Sequence, residues 1–204
     1  MTGRAVRIGI TGPIGCGKST VAGWLAERPD VAVVDADLIA RDVLSAGSPE
    51  VEAVYTRFGD SLRMPDGQLD RVGLGRIVFS DADALRDLEA IVHPAVRPRI
   101  LAEIEAADAA GAAAVVIEAI KLVEGGLAEQ CDEVWLVSCA PDVQLERLVG
   151  RGDAEADALD RVAAQGDLAT RLRPAVTHVI DTDGAPESTR SRVIERLDAA
   201  LTPG

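Results

Sequence analysis

The sequence predicts an α/β protein in which helices flank a parallel five-stranded sheet. Short apolar runs alternate along the chain with segments of helical spacing, which is typical of parallel sheets covered on both faces. A glycine-rich turn stands between the first apolar run and the first helical segment, and it reads Gly12-Pro13-Ile14-Gly15-Cys16-Gly17-Lys18-Ser19. This turn matches the phosphate-binding P-loop and indicates the P-loop nucleoside triphosphate hydrolase/kinase fold.

Five apolar runs are predicted as strands. Residues 5–10 precede the glycine turn, and residues 19–27 are predicted as the helix that follows it. The second run, residues 31–34, ends on Asp35-Ala36-Asp37. The other three predicted strands are residues 113–117, 133–138 and 177–180.

The core is predicted at residues 5–37 and 112–204, with a helical insertion between its two parts and a lid within the second part. Residues 38–111 have helical spacing and few strand signals, so they are predicted to form a helical substrate-binding insertion. Residues 151–173 are polar and rich in arginine, with glycines where a flap could bend, and are predicted to form an irregular lid. The length of 204 residues fits one globular domain with these additions.

Composition and charge exclude several classes of partner. The net charge of −13 and the aromatic content of 2% argue against a nucleic-acid binder, which needs a basic face or stacking side chains. No apolar stretch is long enough for a membrane span or a signal peptide, so we expect a cytoplasmic protein without membrane association. The three cysteines, Cys16, Cys131 and Cys139, have neither paired spacing nor a neighbouring His, which predicts unpaired thiols and no zinc site.

The P-loop carries the most specific chemical signal. Its glycines allow backbone N–H groups to approach phosphate oxygens, and the N-terminus of the following helix favours the same anion. Lys18 is expected to reach the β- and γ-phosphates, and the Ser19 hydroxyl to bind Mg²⁺. Only two of the 21 basic residues are Lys, namely Lys18 and Lys121. In a chain that otherwise uses Arg, the Lys at position 18 supports a role for its compact ammonium group at the phosphates. The residues predicted to bind the nucleoside triphosphate are Gly12, Pro13, Ile14, Gly15, Cys16, Gly17, Lys18, Ser19, Thr20, Arg147 and Arg151.

Three carboxylates follow predicted strands at the sheet edge where ligands bind. Asp35 and Asp37 come after the second strand, and we expect one to cap a helix and the other to orient an acceptor hydroxyl. Glu118 ends the third strand and is a candidate for Mg²⁺, with a solvated strand end as the alternative. The chemistry indicated is phosphoryl transfer by a small-molecule kinase.

Further candidates are less specific. Lys121 and Glu124 could contact the acceptor or form a surface ion pair. Arg147, Arg151 and Arg161 could neutralise the transferred phosphoryl group after a lid closes, or could be solvated helix residues. The pair His93-Pro94 is predicted to be structural, with Pro94 opening a helix.

Taken together, these residues resemble the dephospho-CoA kinase family over about residues 8–184. The P-loop block is shared by many kinases, whereas the Asp-x-Asp-x-x-Ala-Arg block, the His-Pro pair and the Arg-to-Gln spacing are typical of this family. The matching residues are 10–22, 35–37 and 39–41, Phe58-Gly59, Leu69-Asp70-Arg71, His93-Pro94, 118–124, Gln144, Arg147, Leu148, Arg151, Arg161 and Gln165.

The resemblance implies ATP and Mg²⁺ as co-substrates, dephospho-CoA as acceptor, a CoA-binding helical insertion and a closing lid. It implies that Asp37 activates the acceptor hydroxyl and that Lys18 and Arg151 act in catalysis. It also implies Arg41, His93, Lys121, Glu124 and Arg161 as acceptor-binding residues. The chain is expected to be a monomer or a weak homo-oligomer.

Three segments depart from the family pattern. Pro13 replaces a glycine and removes one N–H from the loop. Ile120-Lys121-Leu122 stands where the family often has Pro-Leu-Leu, and Thr182-Asp183-Gly184 replaces an Asn-x-Gly segment. Another small-molecule or nucleotide kinase is the alternative function, and a regulatory P-loop ATPase is a more distant one. A GTPase that recognises guanine through Asn-Lys-x-Asp is excluded, because the chain contains no Asn.

Overall fold

A computed structural model describes residues 4–202. Within them, five parallel strands form one sheet in the order β2-β3-β1-β4-β5, which confirms the predicted sheet. Each strand lies within one residue of its predicted bounds. The strands are β1 (Val6–Thr11), β2 (Val31–Asp35), β3 (Ala114–Glu118), β4 (Glu133–Ser138) and β5 (His178–Asp181).

The central strands are apolar because helices cover both faces of the sheet. All five residues of β3 are buried, and so are the last four residues of β1. The register places Glu118, at the end of β3, level with Ile10 of β1 on one side and Asp35 of β2 on the other. Two of the predicted functional carboxylates therefore lie side by side at the carboxyl edge of the sheet.

Nine α-helices occur between residues 4 and 202. A Ser48 side chain caps α3 by accepting from the Val51 N–H, and Asp70 caps α4 by accepting from the Gly73 N–H. The helices are α1 (Lys18–Ala26), α2 (Ala36–Val43), α3 (Pro49–Phe58), α4 (Arg71–Ser80), α5 (Ala82–Ala109), α6 (Pro141–Gly150), α7 (Glu155–Gln165), α8 (Leu168–Leu172) and α9 (Pro186–Leu201). No helix in this part of the chain is long and apolar enough to cross a membrane.

The chain divides into two compact units. The first contains the sheet and, within the described residues, spans 4–35 and 106–202; its core includes Ile8, Ile10, Leu25, Val116, Trp135, Val137, Val193 and Leu197. The second spans residues 36–105 and has its own core, which includes Val51, Val54, Tyr55, Leu62, Leu74 and Val78. The predicted insertion, residues 38–111, begins two residues later and ends six residues later than this second unit. Its assignment to acceptor binding stays a prediction.

Two local predictions are wrong. Pro94 does not open a helix, because α5 runs through both Pro94 and Pro98. A proline removes one N–H from the helix, but the buried residues Val96, Ile100 and Ile104 recur at four-residue intervals and stabilise its continuation.

Residues 151–173 are not irregular either. They contain α7 and α8, which begin after Ala154 and Asp167 and are separated at Gly166, where φ is +53°. The polar composition concealed these helices, because α7 buries only Ala158 and its apolar face is therefore narrow.

Candidate active site

The P-loop connects the end of β1 to the start of α1. Gly17 precedes the helix in the left-handed conformation, with φ +92°. Gly12 lies against β4, where an added Cβ would stand 2.0 Å from the Val137 carbonyl oxygen. The loop therefore needs glycine at this point for packing against the sheet as well as for access to phosphate. The first turn of α1 directs backbone N–H groups into the loop.

Lys18 is the first residue of α1 and is only 7% exposed. Its Nζ donates to the carbonyl oxygens of Gly12 at 2.9 Å and Pro13 at 3.0 Å. The ammonium group is thus held over the loop by backbone oxygens. Pro13 lacks an N–H, but its carbonyl oxygen contributes to this position and also accepts from the Cys16 N–H.

The Ser19 hydroxyl donates to Oε1 of Glu118 at 2.7 Å. Ser19 is exposed, whereas Glu118 is only 5% exposed, so the pair joins the loop to the buried end of β3. A hydroxyl and a carboxylate are hard oxygen donors of the kind that Mg²⁺ accepts, with waters and phosphates supplying the other ligands. No group of three or more acidic, His or Cys side chains suitable for a metal occurs in residues 4–202. The oxygen atoms of Ser19 and Glu118 are of the type that fits Mg²⁺.

Arg147 reaches the loop through Thr182. Its Nη1 donates to the Thr182 hydroxyl at 2.9 Å, and its Nη2 donates to the Thr182 carbonyl oxygen at 2.6 Å. The Thr182 hydroxyl in turn lies 2.9 Å from the Cys16 carbonyl oxygen, to which it donates. A Cβ on Gly17 would stand 3.9 Å from Nη1 of Arg147. The guanidinium group is therefore fixed beside the phosphate-binding turn.

Gln165, the last residue of α7, also contacts the loop. Its Oε1 accepts a hydrogen bond from the Ile14 N–H at 2.9 Å. The Gln165 carbonyl oxygen accepts from Nη2 of Arg171 at 3.0 Å, which joins the ends of α7 and α8. One backbone donor of the P-loop is thus paired with a neutral amide oxygen from the predicted lid.

Comparison with known proteins identifies the family. The family model described as dephospho-CoA kinase matches residues 6–187. The chain belongs to the dephospho-CoA kinase family. A dephospho-CoA kinase from Streptomyces avermitilis is 46% identical over 190 residues, which are 92% of this chain and 90% of that protein. One from Symbiobacterium thermophilum is 44% identical over 91% of this chain and 77% of its own length.

The fold of this dephospho-CoA kinase family member is similar to that of a solved structure. A crystal structure of the protein TT1252 from Thermus thermophilus aligns with 98% of this chain and 100% of its own, with 32% identity and a TM-score of 0.83. Family membership identifies the chain as a kinase, and hence as a phosphotransferase. The resemblance predicted from the sequence is confirmed.

The other predicted residues of this kinase occupy separate places. Arg151 follows α6 and is exposed. Arg161 lies on α7, also exposed, and forms an ion pair with Asp153 at 2.8 Å. Lys121 and Glu124 are exposed in the segment between β3 and β4.

The remaining three predicted residues of the kinase belong to the second unit. Asp37 is half-buried in the first turn of α2, and Arg41 is exposed in the last turn of the same helix. His93 is exposed in the interior of α5.

The prediction of unpaired cysteines is wrong for two of the three. Cys16 and Cys139 form a disulfide, with Cα atoms 5.2 Å apart. The sequence concealed this pair because 123 residues separate its members, and only the pairing of β1 with β4 brings them together. Cys131 is a free thiol, and burial, assisted by the charge of Asp132, raises its pKa to about 12.

Gln165, Thr182 and Cys139 contact the P-loop, and the sequence alone predicts no such role for them. Gln165 belonged to the family pattern, four residues after Arg161, but nothing in its position along the chain connects it with Ile14. Thr182 is distinguished in the sequence only by standing where the family has Asn. Thr182 is buried and forms hydrogen bonds with Arg147 and Cys16. These contacts depend on the crossover that places β5 beside β4.

Proposed function

We propose that this chain transfers the γ-phosphoryl group of ATP to the 3′-hydroxyl of dephospho-CoA, giving coenzyme A and ADP in the last step of coenzyme A synthesis. The observation that carries the proposal is the match of residues 6–187 to the dephospho-CoA kinase family. The positions of Lys18, Ser19 and Glu118 support it, because Lys18 and Ser19 begin α1, where an anion binds favourably, and Ser19 contacts Glu118.

The phosphates of ATP are proposed to bind residues 12–20. The backbone N–H groups of the loop would donate to β-phosphate oxygens, and the Lys18 ammonium would turn from the Gly12 and Pro13 carbonyls toward the β- and γ-phosphates. Ser19 and Glu118 would hold Mg²⁺ directly or through water. When bound, Mg²⁺ would neutralise charge on the phosphate oxygens.

Asp37 is proposed to serve the acceptor. The 3′-oxygen attacks the γ-phosphorus, the bond from that phosphorus to the β,γ-bridging oxygen breaks, and ADP leaves with that electron pair. The proton of the hydroxyl passes to the Asp37 carboxylate. A carboxylate suffices for this role although it is a weak base, because the proton is accepted late in phosphoryl transfer.

Arginines are proposed to stabilise the charge on the transferred group. Arg147 has the strongest support, since its hydrogen bonds to Thr182 hold it beside Gly17. Arg151 is proposed to join it when residues 151–173 close as a lid. The acceptor is proposed to bind through Arg41, His93, Lys121, Glu124 and Arg161.

The cellular setting follows from composition and from the substrate class. We infer a cytoplasmic enzyme that is a monomer or a weak homo-oligomer and binds neither nucleic acid nor membrane. The net charge of −13 supports the exclusion of polyanionic partners.

The experiment is ADP release from ATP and Mg²⁺, measured without acceptor and then with dephospho-CoA, adenosine, AMP or shikimate. We expect strong stimulation by dephospho-CoA alone. Stimulation by one of the other acceptors would indicate another small-molecule kinase. Turnover that no acceptor stimulates would indicate a regulatory ATPase, and either result would sink the proposal.

A further inference from the structure

The Cys16–Cys139 disulfide joins the phosphate-binding loop to the sheet. Cys16 lies between two loop glycines and is fully buried in the core of the first unit. Cys139 directly follows β4 and is half-buried against the same core. The bond therefore fixes the side chain of a residue whose backbone belongs to the proposed phosphate site.

Cys16 is held by two contacts, a hydrogen bond to its backbone and a covalent bond to its side chain. Its carbonyl oxygen accepts from the Thr182 hydroxyl at 2.9 Å, a contact that does not respond to oxidants. Its Sγ is bonded to Cys139, a contact that does. Reduction would release the side chain and leave the backbone anchored. The change expected is a loosening of the loop, not its collapse.

We propose that Cys16 and Cys139 form a reversible thiol–disulfide site and that the disulfide form binds ATP more tightly than the dithiol form. This inference rests on the proposed role of residues 12–20 in phosphate binding. A loop already fixed by the cross-link loses less conformational freedom when its N–H groups converge on phosphate. In a reducing compartment the dithiol form would predominate, and oxidation would shift the protein toward the tighter form.

The exchange balances with a small thiol as reductant. A thiolate attacks Sγ of the half-buried Cys139, forming a mixed disulfide and releasing the Cys16 thiolate. A second small thiolate attacks the mixed disulfide at the small-molecule sulfur, releasing the Cys139 thiolate. Both cysteine thiolates take a proton from water. The two small thiols are oxidised to their disulfide, and the reverse reaction oxidises the protein.

Cys131 is not a partner in this exchange. Its Sγ donates to the Leu127 carbonyl oxygen at 3.5 Å, and burial raises the pKa of its thiol to about 12. At neutral pH the thiolate, which is the reactive form, is therefore scarce. Cys131→Ser is thus a matched control for removal of a cysteine outside the loop.

The test compares the full-length protein oxidised with glutathione disulfide and reduced with dithiothreitol. Mass spectrometry of proteolysed samples should show a Cys16–Cys139 linked peptide only after oxidation. Calorimetric titration with ATP and Mg²⁺, without acceptor, should give a Kd that is roughly two- to tenfold higher after reduction. The same difference is expected in Cys131→Ser. Cys139→Ser should bind like the reduced protein under both conditions.

Three results would overturn the inference. The first is absence of the linked peptide after oxidation. The second is an ATP affinity that is equal in the two redox states, or weaker in the oxidised one, while turnover with dephospho-CoA is normal; this would leave the proposed function intact. The third is absence of ATP binding in both states, which would refute the proposed function together with this inference.

Discussion

The Ser19 hydroxyl donates to Oε1 of Glu118 at 2.7 Å and joins the first turn of α1 to the end of β3. The two residues are separated by 99 positions in the chain and meet because β3 pairs with β1, whose end leads into the P-loop. The pair presents two oxygen atoms at the place where the proposed site needs a cation.

Glu118→Gln tests this pair. The amide keeps the size of the side chain but lacks the negative charge that attracts Mg²⁺. The concentration of Mg²⁺ that gives half-maximal turnover should rise by roughly 10- to 100-fold. Steady-state turnover over a Mg²⁺ series measures it, and Glu129→Gln, an exposed substitution in the turn before β4, should change nothing. An unaltered Mg²⁺ dependence in Glu118→Gln would contradict the assignment.

Asp37→Asn tests the acceptor side of the reaction. Loss of the proton acceptor should lower kcat by about 10²- to 10⁴-fold and leave the Kd for ATP nearly unchanged. Asp35→Asn is the comparison, since the sequence left open which of the two acts. If Asp37→Asn loses ATP binding, its carboxylate serves the metal and the proposed role is wrong.

Lys18→Ala should instead weaken ATP binding and abolish phosphoryl transfer together.

Gln165 tests the link between α7 and the loop. Its Oε1 occupies the Ile14 N–H, a donor that phosphate would need, so the two acceptors compete. Gln165→Ala should therefore lower the Kd for ATP by roughly two- to tenfold, the range expected for one net hydrogen bond. Gln165→Glu should raise it, because a carboxylate accepts more strongly and repels phosphate. Calorimetric titration measures both, and equal effects in the two variants would refute competition.

Asp108 tests the pH dependence of folding. Its Oδ1 accepts from the Ala5 N–H and its Oδ2 from Nη2 of Arg7, and these contacts lower the pKa of the carboxyl in spite of its burial. A lowered pKa adds stability above the unfolded value of ~3.9, and this stability is lost as the pH falls through the folded value. Asp108→Asn should reduce the free energy of unfolding by about 1–2 kcal/mol at pH 7.

The difference between wild type and Asp108→Asn should shrink below pH ~4 as the wild-type carboxyl takes up its proton. Urea unfolding at pH 7 and at several acidic values measures this. Asp157→Asn, in the exposed first turn of α7, is the control. A difference that stays constant with pH would exclude ionisation of Asp108 as its cause.

The sheet, the P-loop and the family are predictable from the amino-acid sequence. Apolar runs placed all five strands within one residue of their bounds, because burial on both faces leaves a continuous apolar signal. The P-loop can be recognised in the sequence because its motif is continuous from Gly12 to Ser19. Helices that bury little surface leave no clear apolar pattern, and the sequence therefore predicts α7 as irregular.

The contacts that hold the P-loop in place depend on the three-dimensional fold. Ser19 donates a hydrogen bond to Glu118, 99 positions away, and the Ile14 N–H donates one to Gln165, 151 positions away. The disulfide joins Cys16 to Cys139, 123 positions away. Such contacts follow from strand order and helix placement, which local patterns do not encode. The sequence therefore predicts the phosphate-binding loop, and the fold determines which distant side chains contact it.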